Sequence, residues 1–332
     1  MGASLTERES RAAFGAVMQG EATPAQIAAL LVGLRVKGET PDEVAGAADA
    51  LRLAMVHLPA SDPDDLVDTC GTGGGAVGTF NISTAAALLA AGLDVRIAKH
   101  GNRSFTSQCG SADVLEALGV PIEISLDVME RALRDAGIVF MFAPLMHPAM
   151  RHVGPVRREL AIPTVMNIVG PLANPAGAGR QVVGVADAKR VQLIAGALCA
   201  LGTVHALVVH GEPGMDEISP LGTTHVVEIR DGAVLEWTID PAHFGFAAGD
   251  AAELAGGPPV QNAAAVRAAL EGSAPPTAIA AVVLNAAAAL YVSPGGPTDY
   301  GDAINAARVG LREGAGLRAL ARLQAAHSSQ GA

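Results

Sequence analysis

DTCGTGGGAVGTFNISTAAALLAAGLDVRIAKHGNRSFTSQCGSADVLEALG, residues 68–119, is the stretch whose reading decides the fold. It holds two glycine-rich turns, GTGGGAVGT (71–79) and KHGNRSFTSQCGS (99–111), each leading into a segment of helical character. A short β-like run, 95–98, lies between them. Glycine lets backbone N–H groups approach an anion with no Cβ in the way, and a helix N-terminus adds partial positive charge. With Ser83, Thr84, Lys99, Arg103, Thr106 and Ser107 in or beside these turns, the pair reads as a cradle for more than one phosphate group. One such turn alone would only join a strand to a helix, as in any α/β protein. GxxxxGK[ST] is absent, and no GxGxxG with a following acid fits, so the common nucleotide fingerprints do not apply.

Outward from this stretch, β-like and helical segments alternate from residue 66 onward. Candidate strands are 66–69, 95–98, 139–142, 164–168, 182–185 and 206–210, with helices including 126–136 and 188–201 between them. This is the signature of an α/β protein with a mainly parallel sheet flanked by helices. HVVEIRDGAVLEWTI (225–239) reads instead as a hairpin turning at Asp231-Gly232. From about Val260 the chain is helical again. Ligands of open α/β sheets bind at the carboxyl ends of strands. The loops GTGGG, KHGNR, HPAMRH (147–152) and HGEPGMDEIS (210–219) all follow candidate strands, so they are expected to converge on one cleft.

Before the sheet, the first 57 residues read as three helices. Each has a threonine at its N-cap and Glu or Gln three residues on: Thr6 with Glu9, Thr23 with Gln26, Thr40 with Glu43. Pro24 and Pro41 stand at N1, and Gly20 and Gly38 at the expected stops. The division expected is a small all-helical domain, 1–62, which packs on the rest of the chain or on a second subunit, followed by an α/β domain, 63–332.

A net charge of −11 and 3% aromatic content exclude a broad basic face or a row of stacking platforms, so nucleic acid is not an expected partner. Apolar runs at 85–91 and 278–290 are too short for membrane spans and read as buried helices. Cys70, Cys109 and Cys199 have no CxxC spacing, which points away from zinc and disulfides and toward a reducing cytoplasm. The start MGASLT matches a loose myristoylation pattern with no second anchor, and we discount it.

DTCGTGGG, NIST, KHGNR, GSADVLEALG, HPAMRHVGPVRREL, NIVGPLANP, RQVVGV and GMDEIS occur in this order. In this the chain resembles the anthranilate phosphoribosyltransferases over nearly its whole length. The resemblance implies a Mg²⁺-assisted homodimer that moves phosphoribose from phosphoribosyl pyrophosphate to the amine of anthranilate. For the donor it implies Gly71, Gly74 and Gly75 with Thr79, the NIST residues Asn81, Ser83 and Thr84, the cation Lys99, and Arg103, Thr106, Ser107 and Ser111 of the second turn. For anthranilate it implies Gly71, His100, Asn102, His147, Met150 and Arg157, the last gripping the carboxylate, with Arg158 facing elsewhere. For the metal it implies Ser83, Asp216 and Glu217, adjacent carboxylates being suited to a hard cation. No residue is assigned as acid or base, because an aniline-type amine is neutral at pH 7 and attacks without first losing a proton.

The chain departs from the family pattern at Gly75, where GTGGD is usual, at Gln108 and Cys109, and in SPLGTT (219–224). These changes bear on donor and metal binding more than on reaction type. A nucleoside phosphorylase of the same architecture is the rival enzyme, and HPAMRHVGPVRREL with GMDEIS favours the transferase. A nucleic-acid-binding relative is the rival outside catalysis, and the acidic balance speaks against it.

Overall fold

A computed structural model describes residues 2–104 and 108–328. It opens with three helices, α1 (Glu7–Gln19), α2 (Pro24–Lys37) and α3 (Pro41–Leu53). All three capping boxes form: Thr6, Thr23 and Thr40 each accept from the backbone three residues on, and each has its own N–H bound in return by Glu9, Gln26 or Glu43. Glu43 does more than cap. Its buried carboxylate also accepts from Leu5 N at 2.8 Å and pairs with Lys37 at 2.8 Å, tying the chain start to α2 and α3.

Seven strands follow: β1 (Val67–Gly71), β2 (Ile97–Gly101), β3 (Ile138–Phe142), β4 (Arg180–Gly184), β5 (His205–Gly211), β6 (Thr224–Arg230) and β7 (Ala233–Ile239). They form one sheet in the order β3-β2-β1-β4-β5-β6-β7. The first five are parallel, and β6 and β7 add antiparallel at one edge. Asp231 (φ 50°) and Gly232 (φ 79°) make the tight turn between β6 and β7 that an Asp-Gly pair favours. The remaining helices are α4 (Ile82–Ala91), α5 (Ser111–Ala117), α6 (Leu126–Ala136), α7 (Ala143–Met146), α8 (Gly154–Leu160), α9 (Val191–Ala200), α10 (Pro259–Glu271), α11 (Pro276–Val292), α12 (Tyr300–Arg312) and α13 (Ala315–Ser328).

Two apolar cores lie on the two faces of the sheet. One gathers α4, α5, α6 and α10–α13, with α4 and α11 buried almost throughout, as their alanine-rich sequences require. The other joins α1–α3 to 149–173, to α9 and to the opposite face of β4–β6. The first three helices thus have no private core; Phe14, Ile27, Leu31 and Val44 share one with Val165, Ile194 and Val208. No single helix among the described residues is long and apolar enough to cross a membrane.

The expected strand at 164–168 is not one. Val165–Asn167 is a 3₁₀ turn, begun by Thr164, whose N–H donates to Asn167 Oδ1 at 3.0 Å. β-branched residues suggested a strand, but Pro163 before them and Gly170-Pro171 after leave no room for a ladder, and the side-chain bond favours the turn. Burial of Val165 and Met166 against the helical core then holds the turn in place.

Candidate active site

The strands β1, β2, β4 and β5 end in glycines, Gly71, Gly101, Gly184 and Gly211, on one edge of the sheet. Two of them are there because Asp216 comes too close to leave room for a Cβ. A Cβ on Gly184 would strike the Asp216 carbonyl, and one on Gly71 would lie 2.6 Å from Asp216 Oδ2. The turn after β1 is fastened to the 211–217 loop: Gly73 N donates to Asp216 Oδ2 at 2.7 Å, and Ala76 N to Gly214 O at 2.8 Å. Thr72 N reaches Gly184 O at 2.9 Å. The glycine turn and the acidic pair are therefore one unit, although Gly73 and Asp216 stand 143 positions apart in the chain. Gly74, at φ 79°, takes the left-handed backbone that this turn requires.

Asp216 and Glu217 line a narrow cavity with Thr69, Cys70, Ser83 and Asn285, of about 10 Å³, room for one water-sized body. Burial, and then the neighbouring Asp216, push the Glu217 carboxyl up to about 8; burial also raises Asp216. Asp68, at the start of β1, is fully buried, and burial lifts it to about 6 against the pull of Lys99. Lys99 is not a surface lysine. It is 3% exposed, and its ammonium donates to Thr69 O at 2.5 Å, Thr69 Oγ1 at 3.3 Å and Ser83 Oγ at 3.3 Å. Asp68 and Glu217 thus both act on one lysine, with Asp216 beside Glu217, and the site is short of positive charge. A cavity of that size with two carboxylates and a hydroxyl suits Mg²⁺, which favours oxygen ligands and takes the rest from water and phosphate. Among the described residues no three His, Cys, Asp or Glu side chains gather as a complete metal cage.

Asp68 and Asn174 carry roles that the sequence reading missed. Asn174 Nδ2 donates to Asp68 Oδ2 and to Ala98 O, each at 2.8 Å, and Asp68 Oδ1 accepts from His100 N at 3.2 Å. This network fixes the end of β2, and with it Lys99 and His100. The acid inside the DTCG strand was its one visible signal.

His100 and His147 meet with their Nε2 atoms 3.1 Å apart, which ties the 147–160 segment to β2. Burial, then the charge on the other ring, takes His100 down to about 3; burial takes His147 to about 4. Both rings are neutral at pH 7. Acidification should therefore destabilise the fold between pH 6.5 and about 3, where the unfolded chain binds protons that the folded rings do not. Replacing His147 with Gln should flatten that limb of a melting-temperature profile; an unchanged slope would show that other groups set it.

Arg157, on α8, is half-buried, while Arg158 is exposed. Burial lowers Arg157 somewhat, and its guanidinium makes no hydrogen bond or ion pair among the described residues. Met150, half-buried, packs beside Ala149 and Val153 on the second core. Thr79 is bridged to Ala255, and Thr84, at the start of α4, is buried with its hydroxyl unpartnered among the described residues. Asn81 is the N-cap of α4 by position, yet its side chain caps nothing: it donates to Cys109 O at 3.3 Å and accepts from Asn262 at 2.9 Å. Asn102 accepts from Arg103 N at 2.7 Å and from Ser111 Oγ, through its carbonyl, at 3.3 Å. Arg103 is held by Asp113 at 2.9 Å and by both oxygens of Glu116, at 2.5 and 3.1 Å, over the Phe142 ring. The arginine thus faces α5 here. Thr106 and Ser107 lie outside the described residues.

Gly75 is the departure with the most direct consequence. A Cβ there would sit 3.2 Å from Asp216 Oδ1 and 3.2 Å from Gly214 O. Gly75→Asp would place a third carboxylate against the acidic pair. It should change the phosphoribosyl pyrophosphate Michaelis constant and the Mg²⁺ concentration for half-maximal rate, while leaving the anthranilate Michaelis constant near that of the parent. A large anthranilate effect with donor and Mg²⁺ dependence unmoved would contradict this placement.

A helical bundle beside a parallel sheet, with a glycine turn, a buried lysine and an acidic pair at the strand ends, defines a glycosyltransferase of the two-domain class. The chain matches the glycosyl transferase family helical bundle domain over residues 1–55 and the a/b domain of that family over 63–317. It is 49% identical to an anthranilate phosphoribosyltransferase of Anaeromyxobacter dehalogenans (98% of this chain, 95% of the relative) and 48% identical to one of Chloroflexus aggregans (96% and 93%). The Thermus thermophilus crystal structure of that enzyme superposes with a TM-score of 0.92 at 41% identity, over 99% of this chain and 97% of the other. The Saccharomyces cerevisiae enzyme in complex with PRPP (phosphoribosyl pyrophosphate) and Mg gives 0.87 at 26%, over 98% and 94%. The chain belongs to the anthranilate phosphoribosyltransferase family.

Proposed function

We propose that this chain transfers the 5-phosphoribosyl group of phosphoribosyl pyrophosphate to the amine of anthranilate, giving N-(5-phosphoribosyl)anthranilate and pyrophosphate, a step of tryptophan biosynthesis. The observation that carries this is the joining of the glycine turn to Asp216 by the 2.7 Å bond from Gly73, beside Lys99 and Ser83. The glycine turn offers N–H groups to the phosphate and ribose of the donor, with Lys99 and the second turn beside the pyrophosphate. Asp216, Glu217 and Ser83 would hold Mg²⁺, which when bound neutralises charge on the pyrophosphate leaving group. Arg157 offers a planar fork to the anthranilate carboxylate, and neutral His100 and His147 with Asn102 and Met150 shape the pocket for its ring. The attacking amine is uncharged, so positioning and charge neutralisation supply most of the rate and no strong base is required.

The division at 62/63 and a homodimer formed through the helical domain belong to this reading. Val36 (81% exposed) and Leu53 (71%), both on that domain, support the dimer. A cytoplasmic setting is supported by three free thiols. The rival nucleoside phosphorylase is tested by melting temperature: phosphoribosyl pyrophosphate with Mg²⁺ should raise it and uridine with phosphate should not, and the reverse would overturn the proposal.

A further inference from the structure

At the opposite end of the sheet lies a second cavity, of about 220 Å³, that shares no lining residue with the cleft. Arg180 at the start of β4, His205 at the start of β5 and Arg230 at the end of β6 line it, with Asp231, Tyr291 and the 293–298 loop. Arg180 is in register with His205, and His205 with Arg230. The three side chains therefore stand in one row on one face of the sheet, about 4.8 Å from strand to strand. β5 runs seven residues from His205 to Gly211, which places the row roughly 20 Å from the cleft edge.

The two arginines are presented differently. Arg180 is clamped, donating from Nε to Asp64 O and from Nη1 to Val292 O, both at 2.8 Å, and its Nη2 makes no hydrogen bond among the described residues. Arg230 is exposed, and its guanidinium has no hydrogen bond or ion pair among the described residues. Behind them is a rigid polar wall. Glu228 lies 2.9 Å from His205 Nε2 and accepts from Tyr291 OH at 3.1 Å and Trp237 Nε1 at 2.9 Å. The chain has one tryptophan and two tyrosines, and Trp237, Tyr291 and Tyr300 all pack edge-to-face here. A purely structural network needs neither an opening of this size nor two guanidinium groups facing it. Arg180 and Arg230 in the lining are opposed by Asp231, and the Glu228 carboxylate behind is taken up by His205, Tyr291 and Trp237, which fits a monoanion better than a polyanion. The volume is below that of drug-sized pockets, about 300–1,000 Å³, so the occupant is small.

We propose that this cavity is a second ligand site, taking a small oxyanion, a carboxylate or phosphate group on a compact body, between Arg180 and Arg230. The sole tryptophan lies directly behind the wall, its ring 6.1 Å from that of Tyr291, which lines the cavity, so Trp237 emission reports its occupancy. The full-length protein is titrated with acetate and, separately, with inorganic phosphate, at ionic strength held constant with chloride. At least one ion should give a saturable emission change that persists with phosphoribosyl pyrophosphate and Mg²⁺ filling the cleft. Saturation by acetate assigns carboxylates, and saturation by phosphate alone assigns phosphoryl groups. Arg230→Gln should weaken the apparent affinity about tenfold or more with an unchanged circular dichroism spectrum, since the side chain is exposed and loses a charged hydrogen bond to the anion. Arg230→Lys should restore it in part. The proposal is overturned if neither ion saturates, if Arg230→Gln responds like the parent, or if filling the cleft abolishes the response.

Discussion

Asp216→Asn combined with Glu217→Gln should lower turnover by roughly 10²–10³-fold while leaving the fold intact, the scale seen when a group that stabilises developing negative charge is lost. Both substitutions keep the shape of the side chain, and the introduced asparagine can still accept the bond that Gly73 N now makes to Asp216. Each removes a carboxyl group that burial disfavours, so the melting temperature should hold or rise as activity falls. That opposition separates a functional loss from a structural one. The measurement is turnover against Mg²⁺ concentration at saturating substrates, beside a melting curve. Full activity of the double variant at limiting Mg²⁺ would remove these residues from the metal site.

Arg157→Ala should raise the anthranilate Michaelis constant by one or more orders of magnitude, because losing one partner of a desolvated charged pair costs about 2–5 kcal/mol. The side chain is half-buried with no partner of its own among the described residues, so its removal leaves no protein group stranded. Donor binding, followed by calorimetry, should stay near that of the parent chain. Arg157→Lys should rescue only in part, since a point charge does not reproduce the planar fork. If the alanine variant instead loses donor binding and keeps its anthranilate affinity, the arginine belongs to the phosphate site.

What the sequence made legible was local chemistry. The three Thr-x-x-Glu/Gln boxes and the Asp231-Gly232 turn are short-range features of residues a few positions apart, and each forms as read. The convergence of four loops followed from one topological rule, that strands running parallel end on the same edge. Strand ends ran later than expected, to Gly71 and Gly101, because glycine's own backbone can stay in the ladder: Gly71 pairs with Gly184 and Gly101 with Phe142. The failure at 164–168 came from reading β-branched composition without the prolines that bound it. The Asp68–Asn174 network was illegible because its partners lie 106 residues apart, and only the fold brings them together. Arg103 shows the same limit from the other side. Its cationic character was plain, but two acids on the following helix, Asp113 and Glu116, compete for it, and sequence spacing does not say which partner wins.

Anthranilate is fluorescent where phosphate and ribose are not, so the transfer itself can be followed by emission. The most direct measurement follows the loss of anthranilate emission with purified protein, phosphoribosyl pyrophosphate and Mg²⁺, together with the pyrophosphate released. Loss is expected only when all three are present, with one pyrophosphate released for each anthranilate consumed. Unchanged emission with protein that binds both substrates, or release of pyrophosphate without consumption of anthranilate, would contradict the proposed transfer.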